Sequence, residues 1–281
     1  MGWEIGAFCS IDAGLGVHLD VVKELQIPTI QVHAPHPGNR DEKTAMAFKD
    51  QVDSMGVVVT AVFGGFDGES YESIEIVKSS VGLVPAETRA QRLQEMKEIS
   101  DFAKWLGCPV VGLHLGFIPE DASDSEYEPV VQVTRELCDY AKVNGQAIHL
   151  ETGQETADGL IRFIADTSVD NLFVNFDPAN MILYGTGEPV DALKKLSGLV
   201  KSVHCKDANW SDQPGQTWGC EVPLGEGEVN IRTYLATLKE MGYQGPLTIE
   251  REIPQEPERQ KQEIGHASGL LRELKIELGL S

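Results

Sequence analysis

The stretch AIHLETGQ, residues 147–154, changes character in its middle. Its first half reads as a buried strand and its second half as the start of a turn. Between them stands Glu151, a charge at the end of an apolar run, where burial is costly unless something pairs with it. Side chains on a strand alternate faces. Ile148 and Leu150 therefore share one face, and His149 and Glu151 the other. The apolar pair belongs under helices, which turns Glu151 inward, at the end of its strand.

Seven more runs of this kind recur, rich in Val and Ile and bounded by turn residues: WEIGAFC (3–9), PTIQVHA (28–34), GVVVTAVF (56–63), PVVGLHL (109–115), LFVNFD (172–177), VKSVHCKD (200–207) and PLTIE (246–250). Amphipathic helical patterns separate them, among them EKTAMAFKDQVDSM, AETRAQRLQEMKEISDFAKWLG and EPVVQVTRELCDYAKVNG, and ERQKQEIGHASGLLRELKIELG follows the last. Strict alternation argues for a parallel sheet. Eight strand–helix units in one chain of 281 residues predict an α/β fold, the (β/α)8 barrel, as a single domain over 1–281. The runner-up is an open doubly wound sheet, but no GxGxxG follows the first strand. The longer insertions, 64–85, 116–128 and 208–229, all follow strand ends, the side of a barrel on which loops carry function.

Lysine and arginine total 23 against 44 aspartates and glutamates, a formal charge of −21. Such a field repels nucleic acid and anionic membrane and leaves room for a small neutral substrate or a metal cation. No run of 18 apolar residues stands in the chain, so no membrane span is expected. The opening MGWEIGAFCS has no basic region followed by an apolar stretch, so no secretory signal is expected. Five cysteines with no CxxC spacing fit a reducing compartment, and the cytoplasm is the expected location.

The alternation test extends to the other strand ends. Gln31 and His33, Gly112 and His114, Asn175 and Asp177, Ser202, His204 and Lys206, and Thr248 and Glu250 all take the inward face. Glu151, Asp177, His204 and Glu250 thus come from four successive strands, the fifth to the eighth. Three carboxylates converging without a cation would repel and raise one another's pKa. A divalent metal removes the conflict, and three carboxylates with one imidazole suit Mn²⁺, Mg²⁺, Co²⁺, Fe²⁺ or Zn²⁺ with positions left open. The four residues are therefore the expected ligands of one divalent ion.

The stretches HLETG (149–153), NFDPANM (175–181), VHCKDA (203–208), PLGEGEVN (223–230) and LTIERE (247–252) resemble those of the sugar phosphate isomerase/epimerase superfamily, the xylose isomerase-like TIM barrels. That group includes ketose 3-epimerases and, more distantly, endonuclease IV. The resemblance covers essentially the whole chain. It implies one bound metal, Mn²⁺ first, and a small-molecule sugar substrate. It also implies a second role for Glu151 and Glu250: one takes a proton from beside a carbonyl, and the other returns one on the far side. The expected function is a metal-dependent isomerase or epimerase on a keto- or aldo-sugar, working through an enediolate. The alternative is a lyase or hydratase on a 3-keto-sugar or glycoside; an endonuclease-like phosphodiesterase and a non-catalytic binding protein rank below. Relatives of this kind dimerise or tetramerise, so a homo-oligomer is expected from the resemblance, although the sequence shows no interface signal.

Two positions depart from the ketose epimerases. Asn180 stands where they carry a substrate-touching His three residues after the aspartate, and CKDANW after His204 offers Lys206 and no Arg. The expected substrate contacts are His33, His114, Asn180 and Lys206, with a carboxylate partner the open alternative for Lys206. His149 reads as structural. Phe66 could wall the pocket; Trp210 and Trp218 could stack on a sugar or pack their own loop. GEGE (225–228) reads as a turn before a helix capped by Asn230. Its acidic residues argue against a bound phosphate.

Overall fold

A computed structural model describes residues 2–12 and 15–280. The first half of the chain runs β1 (Ile5–Ser10), α1 (Leu19–Glu24), β2 (Thr29–His33), α2 (Glu42–Ser54), β3 (Val58–Gly64), α3 (Ile74–Ser80), α4 (Ala86–Leu106), β4 (Val110–Leu113) and α5 (Tyr127–Val143). The second half runs β5 (Ala147–Glu151), α6 (Ala157–Thr167), β6 (Leu172–Phe176), α7 (Pro178–Tyr184), α8 (Pro189–Lys195), β7 (Val200–Cys205), β8 (Asp207–Asn209), β9 (Cys220–Val222), α9 (Ile231–Glu240), β10 (Leu247–Ile249) and α10 (Pro257–Leu278).

Eight of these strands close a parallel barrel in the order β1-β10-β7-β6-β5-β4-β3-β2. Because β1 pairs with both β2 and β10, the sheet has no free edge, and the open doubly wound alternative is excluded. The eight runs read from the sequence are the eight barrel strands, shifted by a residue or two at their ends. Two insertions hold regular structure of their own. Residues 64–85 contain α3, started by the Ser73 side chain accepting from the Ile76 amide. Residues 208–229 fold back as an antiparallel pair, Asp207↔Val222 to Asn209↔Cys220.

Alternation is kept along the barrel strands apart from register irregularities opposite Ile30/Gln31 in β3 and opposite Val174/Asn175 in β7. Ile30, Val32, Val62, Val111, Leu113, Ile148, Leu150, Val174, Phe176, Val203, Leu247 and Ile249 point outward and are almost wholly buried under the helices. Each such side chain contributes roughly 1.5–3 kcal/mol relative to exposure. The barrel interior is different. One side holds a small aromatic cluster of Phe8, Ala61 and Phe63, and the rest is polar. Space for the Phe63 ring comes from Gly112 on the neighbouring strand, where a Cβ would lie 2.5 Å from the ring tip. Helix starts follow local chemistry. Asp41, Thr156 and Asn230 each accept a backbone N–H of the first turn of α2, α6 and α9. Among the described residues no helix is long and apolar enough to cross a membrane.

Gly112→Ala is expected to overpack this interior and to destabilise the barrel by about 1–3 kcal/mol. The check is the midpoint of urea unfolding; an unchanged midpoint would show that Phe63 yields freely.

Candidate metal centre

Glu151 closes β5, Asp177 follows β6, His204 lies in β7, and Glu250 follows β10. One donor atom of each lies within 4.8 Å of the donors of the other three. Asp177 and His204 are fully buried and Glu151 nearly so. The backbone of Asp177 is pinned by the Thr152 hydroxyl, which donates to its carbonyl at 2.9 Å and accepts its amide at 2.8 Å. Asp177 also caps α7: one carboxylate oxygen accepts the Asn180 amide at 3.0 Å, and Pro178 supplies the first helical residue. The second oxygen, Oδ2, is buried and makes no hydrogen bond.

His204 is held on all sides. Its Nδ1 lies 3.0 Å from Glu151 Oε1, 3.0 Å from Glu250 Oε2 and 3.4 Å from Asp177 Oδ2. Its Nε2 stands 2.6 Å from Gln31 Oε1, an acceptor only, so Nε2 carries hydrogen in that contact. The Phe8 and Phe63 rings flank the imidazole at centroid distances of 5.6 and 5.5 Å. Beneath it a polar chain crosses the barrel. Gln31 Nε2 donates to Asn175 Oδ1 at 3.3 Å, Ser202 Oγ donates to the same oxygen at 2.6 Å, and His149 Nδ1 meets Ser202 Oγ at 2.8 Å. Burial lowers the His149 pKa to about 3, so that ring is neutral and structural.

The charges are sorted by their neighbours. Burial pushes Asp177 up to about 6, against the pull of His204. Burial also opposes ionisation of Glu250, but Lys206 and His204 outweigh it and hold its carboxyl well below the usual range. For His204, burial is overcome by Glu250 and Glu151, and its pKa stands well above the ordinary value. The residues present fit a divalent cation. They offer three carboxylates and one imidazole nitrogen on one point, with a buried carboxylate oxygen that has no hydrogen-bond donor.

Of the four substrate contacts expected from sequence, two reach the adjoining cavity. This cavity of about 210 Å3 opens beside Glu151 and Glu250 and is lined by Phe8, Phe63, His33, Tyr71 and His114. His114 Nε2 lies 3.4 Å from Glu151 Oε2. His33 places Nδ1 2.9 Å from the Ala34 carbonyl, and burial lowers its pKa. A larger groove, 490 Å3, lies between the outer faces of α4 and α5, but among the described residues no metal-ligand cluster stands there.

Lys206 is turned away from the 210 Å3 cavity. Its amine meets Glu252 Oε1 at 2.8 Å, Glu250 Oε2 at 3.3 Å and Asn180 Oδ1 at 3.4 Å, with Glu221 at 3.8 Å. Three donors are then spent, and the carboxylate partner open in the sequence is the one the structure provides. Asn180 joins this layer: its Nδ2 donates to Glu151 Oε1 at 3.1 Å. Phe66 is not a wall of the cavity; it is buried under the Arg92 guanidinium, 5.1 Å from its ring centroid. Trp210 packs on the core, and Trp218 packs on Tyr184. The GEGE turn is closed by Asp207, whose carboxylate accepts the amides of Gly225, Gly227 and Val229 at 3.0–3.1 Å. Those amides are taken by a side chain, which leaves none of the three for phosphate.

Sequence reading did not single out Gln31, Tyr71, Glu221 or Glu252. The inward parity of Gln31 was a signal for the first. Tyr71 and Glu252 stand in loops and Glu221 on the short strand β9 of an insertion, whose folding no period reports.

A family model described as a xylose isomerase-like TIM barrel matches residues 19–274. A crystal structure of a xylose isomerase domain protein from Planctomyces limnophilus is 55% identical, covers 99% of each chain and superposes with a TM-score of 0.97. A D-tagatose 3-epimerase-like protein, 19% identical over 98% of both chains with a TM-score of 0.74, shares the fold. Among curated proteins, an inosose dehydratase of Clostridium botulinum is 28% identical over 115 residues, 37% of this chain and 38% of that protein. The match therefore spans well under half of that relative.

His204→Ala is expected to lower metal content measured by elemental analysis, and an unchanged stoichiometry would place the metal elsewhere. Gln31→Leu removes the contact that orients His204. It is expected to weaken Mn²⁺ binding about 10–100-fold in titration calorimetry while the circular dichroism spectrum stays unchanged.

Proposed function

The chain belongs to the xylose isomerase-like TIM barrel family, and on that premise we propose that it is a divalent-metal-dependent isomerase or epimerase acting on a keto- or aldo-sugar. One observation carries the reading. Glu151 and Glu250 each stand 3.0 Å from the same His204 nitrogen, and both open onto the same 210 Å3 cavity. Two carboxylates opening onto one small cavity are what proton removal and return at a single carbon require.

In this reading one carboxylate removes the proton beside the substrate carbonyl. The electron pair moves into the carbon–carbon bond and gives an enediolate. The other carboxylate returns a proton, on the opposite face for epimerisation or on the neighbouring carbon for isomerisation. Such general acid–base help is worth about 10²–10⁴-fold. Glu151, Asp177, His204 and Glu250 would hold the metal. A divalent ion there, Mn²⁺ first and Mg²⁺, Co²⁺, Fe²⁺ or Zn²⁺ also compatible with the donor set, supplies a Lewis acid for the carbonyl and hydroxyl oxygens. Lys206 keeps Glu250 ionised, and Asn180 orients Glu151 through its amide. His114 stands where it can exchange a proton with Glu151. His33 and His114 contact the sugar, and Phe8 and Phe63 exclude water from one side. Arg251 also lines the cavity, but Glu221 and Glu263 hold its guanidinium at 2.6 and 2.7 Å. This favours a neutral substrate over a phosphate ester. Residues 1–281 act as one barrel domain in this account.

A second reading has support of its own. The curated dehydratase relative and Asn180, which replaces the His expected of ketose epimerases, favour elimination. The same proton abstraction would then be followed by loss of a hydroxyl two carbons from the carbonyl, with the returned proton leaving as water.

Incubation of Mn²⁺-loaded protein in D₂O with ketoses, aldoses, inososes and 3-keto-glucosides separates the two by NMR. Deuterium beside the carbonyl with a new epimer or isomer is the expected result. Loss of water assigns the dehydratase, and no exchange across the panel overturns both. Glu250→Gln is expected to slow exchange at least about 10²-fold with the fold intact; a wild-type rate would remove Glu250 from the proton transfer.

A further inference from the structure

A second cavity, of about 270 Å3, adjoins the first. The two share Tyr71, His114 and Glu252 as lining residues. Tyr71, half-exposed, stands between them. Each lobe alone is smaller than the roughly 300–1,000 Å3 of an ordinary small-molecule site, and the two together fall within that range.

The second lobe is firmly built. Its wall is the edge-to-face pair Tyr184–Trp218, with centroids 4.6 Å apart. Tyr184 is buried and packs on Phe117 at 5.6 Å, and its hydroxyl accepts from Gln154 Nε2 at 3.2 Å. Behind Tyr184, Gly153 adopts φ 149°, and a Cβ there would lie 3.0 Å from the ring. Trp218 is anchored by the next residue: the Gly219 amide donates to the Leu183 carbonyl at 3.1 Å, and a Cβ on Gly219 would lie 2.6 Å from the Asn209 carbonyl. The Trp218 indole nitrogen is buried and has no acceptor. Opposite the rings stand Glu221 and the exposed side chain of Glu252. The cations nearby, Lys206 and Arg251, are already bound to those carboxylates.

An aromatic face beside carboxylates, without a free cation, is the chemistry of a neutral polyhydroxylated ring. Ring faces stack on the C–H face of a sugar, and carboxylates accept its hydroxyls. A purely apolar occupant would strip water from Glu221 and Glu252 and give nothing back. An anionic one would meet carboxylates whose cations are already paired, with none left to bind it among the described residues.

We propose that the second lobe is a subsite for a second sugar ring, so that the substrate is a disaccharide-sized glycoside of the keto-sugar, with Trp218 as the specificity-determining residue. This rests on the enolisation reading for the ring in the first lobe. The linking glycosidic oxygen then passes Tyr71, His114 and Glu252, the residues common to both lobes.

The test is titration calorimetry of the Mn²⁺-loaded protein with 3-keto-glucose, 3-keto-maltose and 3-keto-cellobiose, followed by exchange in D₂O. One of the two disaccharides is expected to bind about tenfold more tightly than the free sugar, the gain typical of one added contact surface in a pocket. Trp218→Ala, which removes the wall, and Leu183→Trp, which fills the lobe, are both expected to abolish that gain. Neither should change the affinity for 3-keto-glucose. No gain in the wild-type protein, or a gain retained in both variants, overturns the subsite. Binding of none of the three sugars overturns it as well. A gain that depends on Trp218, with no deuterium exchange in any of the sugars, upholds the subsite and overturns the enolisation reading.

Discussion

Three carboxylates, an imidazole and a lysine crowd the mouth of one barrel, and the surrounding strand ends are arranged to keep them together. Glu151, Asp177 and Glu250 meet on His204, while Lys206 binds Glu250 from behind. Removing water from so many charges is costly, and it is offset only by close pairing and complete hydrogen bonding. The structure meets most of this demand. Among the described residues Asp177 Oδ2 is one of the few buried atoms at the site left without a donor, and a metal ion would meet that need.

The layer beneath the site explains why the cluster can be narrow. His204 cannot turn, because Gln31 holds one nitrogen and two phenylalanine rings flank the plane. Gln31 is held in turn by Asn175, and Asn175 by Ser202. The interior of this barrel is therefore half polar chain and half aromatic cluster. The polar half orients the imidazole, and the aromatic half keeps water from its ring.

The layer above the site comes from loops, and acidic residues dominate it. Glu221 on β9 and Glu252 after β10 reach Lys206 and Arg251 and leave no unpaired cation at either cavity among the described residues. With a net charge of −21 overall, the mouth is an unfavourable place for an anion. Asp207 acts in the same manner on the backbone: its carboxylate gathers the amides of the glycine-rich turn that would otherwise attract an anion.

What the sequence alone determined is everything that has a period. Eight apolar runs spaced by amphipathic helices specify a closed parallel barrel, because a strand covered by helices must be apolar outward. Alternation by two then placed Glu151, Asp177, His204 and Glu250 on one inward face, since parity survives small errors in strand ends. The same parity turned His33, His114, Gln31 and Lys206 inward, but it could not say what each one meets. Contacts that cross the barrel depend on side-chain length and on partners far along the chain, such as Gln31 on His204, 173 residues away. Lys206 shows the limit most clearly. Its inward position was legible, yet its binding to Glu252 rather than to the cavity depends on a loop with no repeating pattern. Only the tertiary structure decided that, along with the second aromatic lobe, because Tyr71 and Trp218 come from two separate loops and Tyr184 from the end of α7, which no local rule aligns.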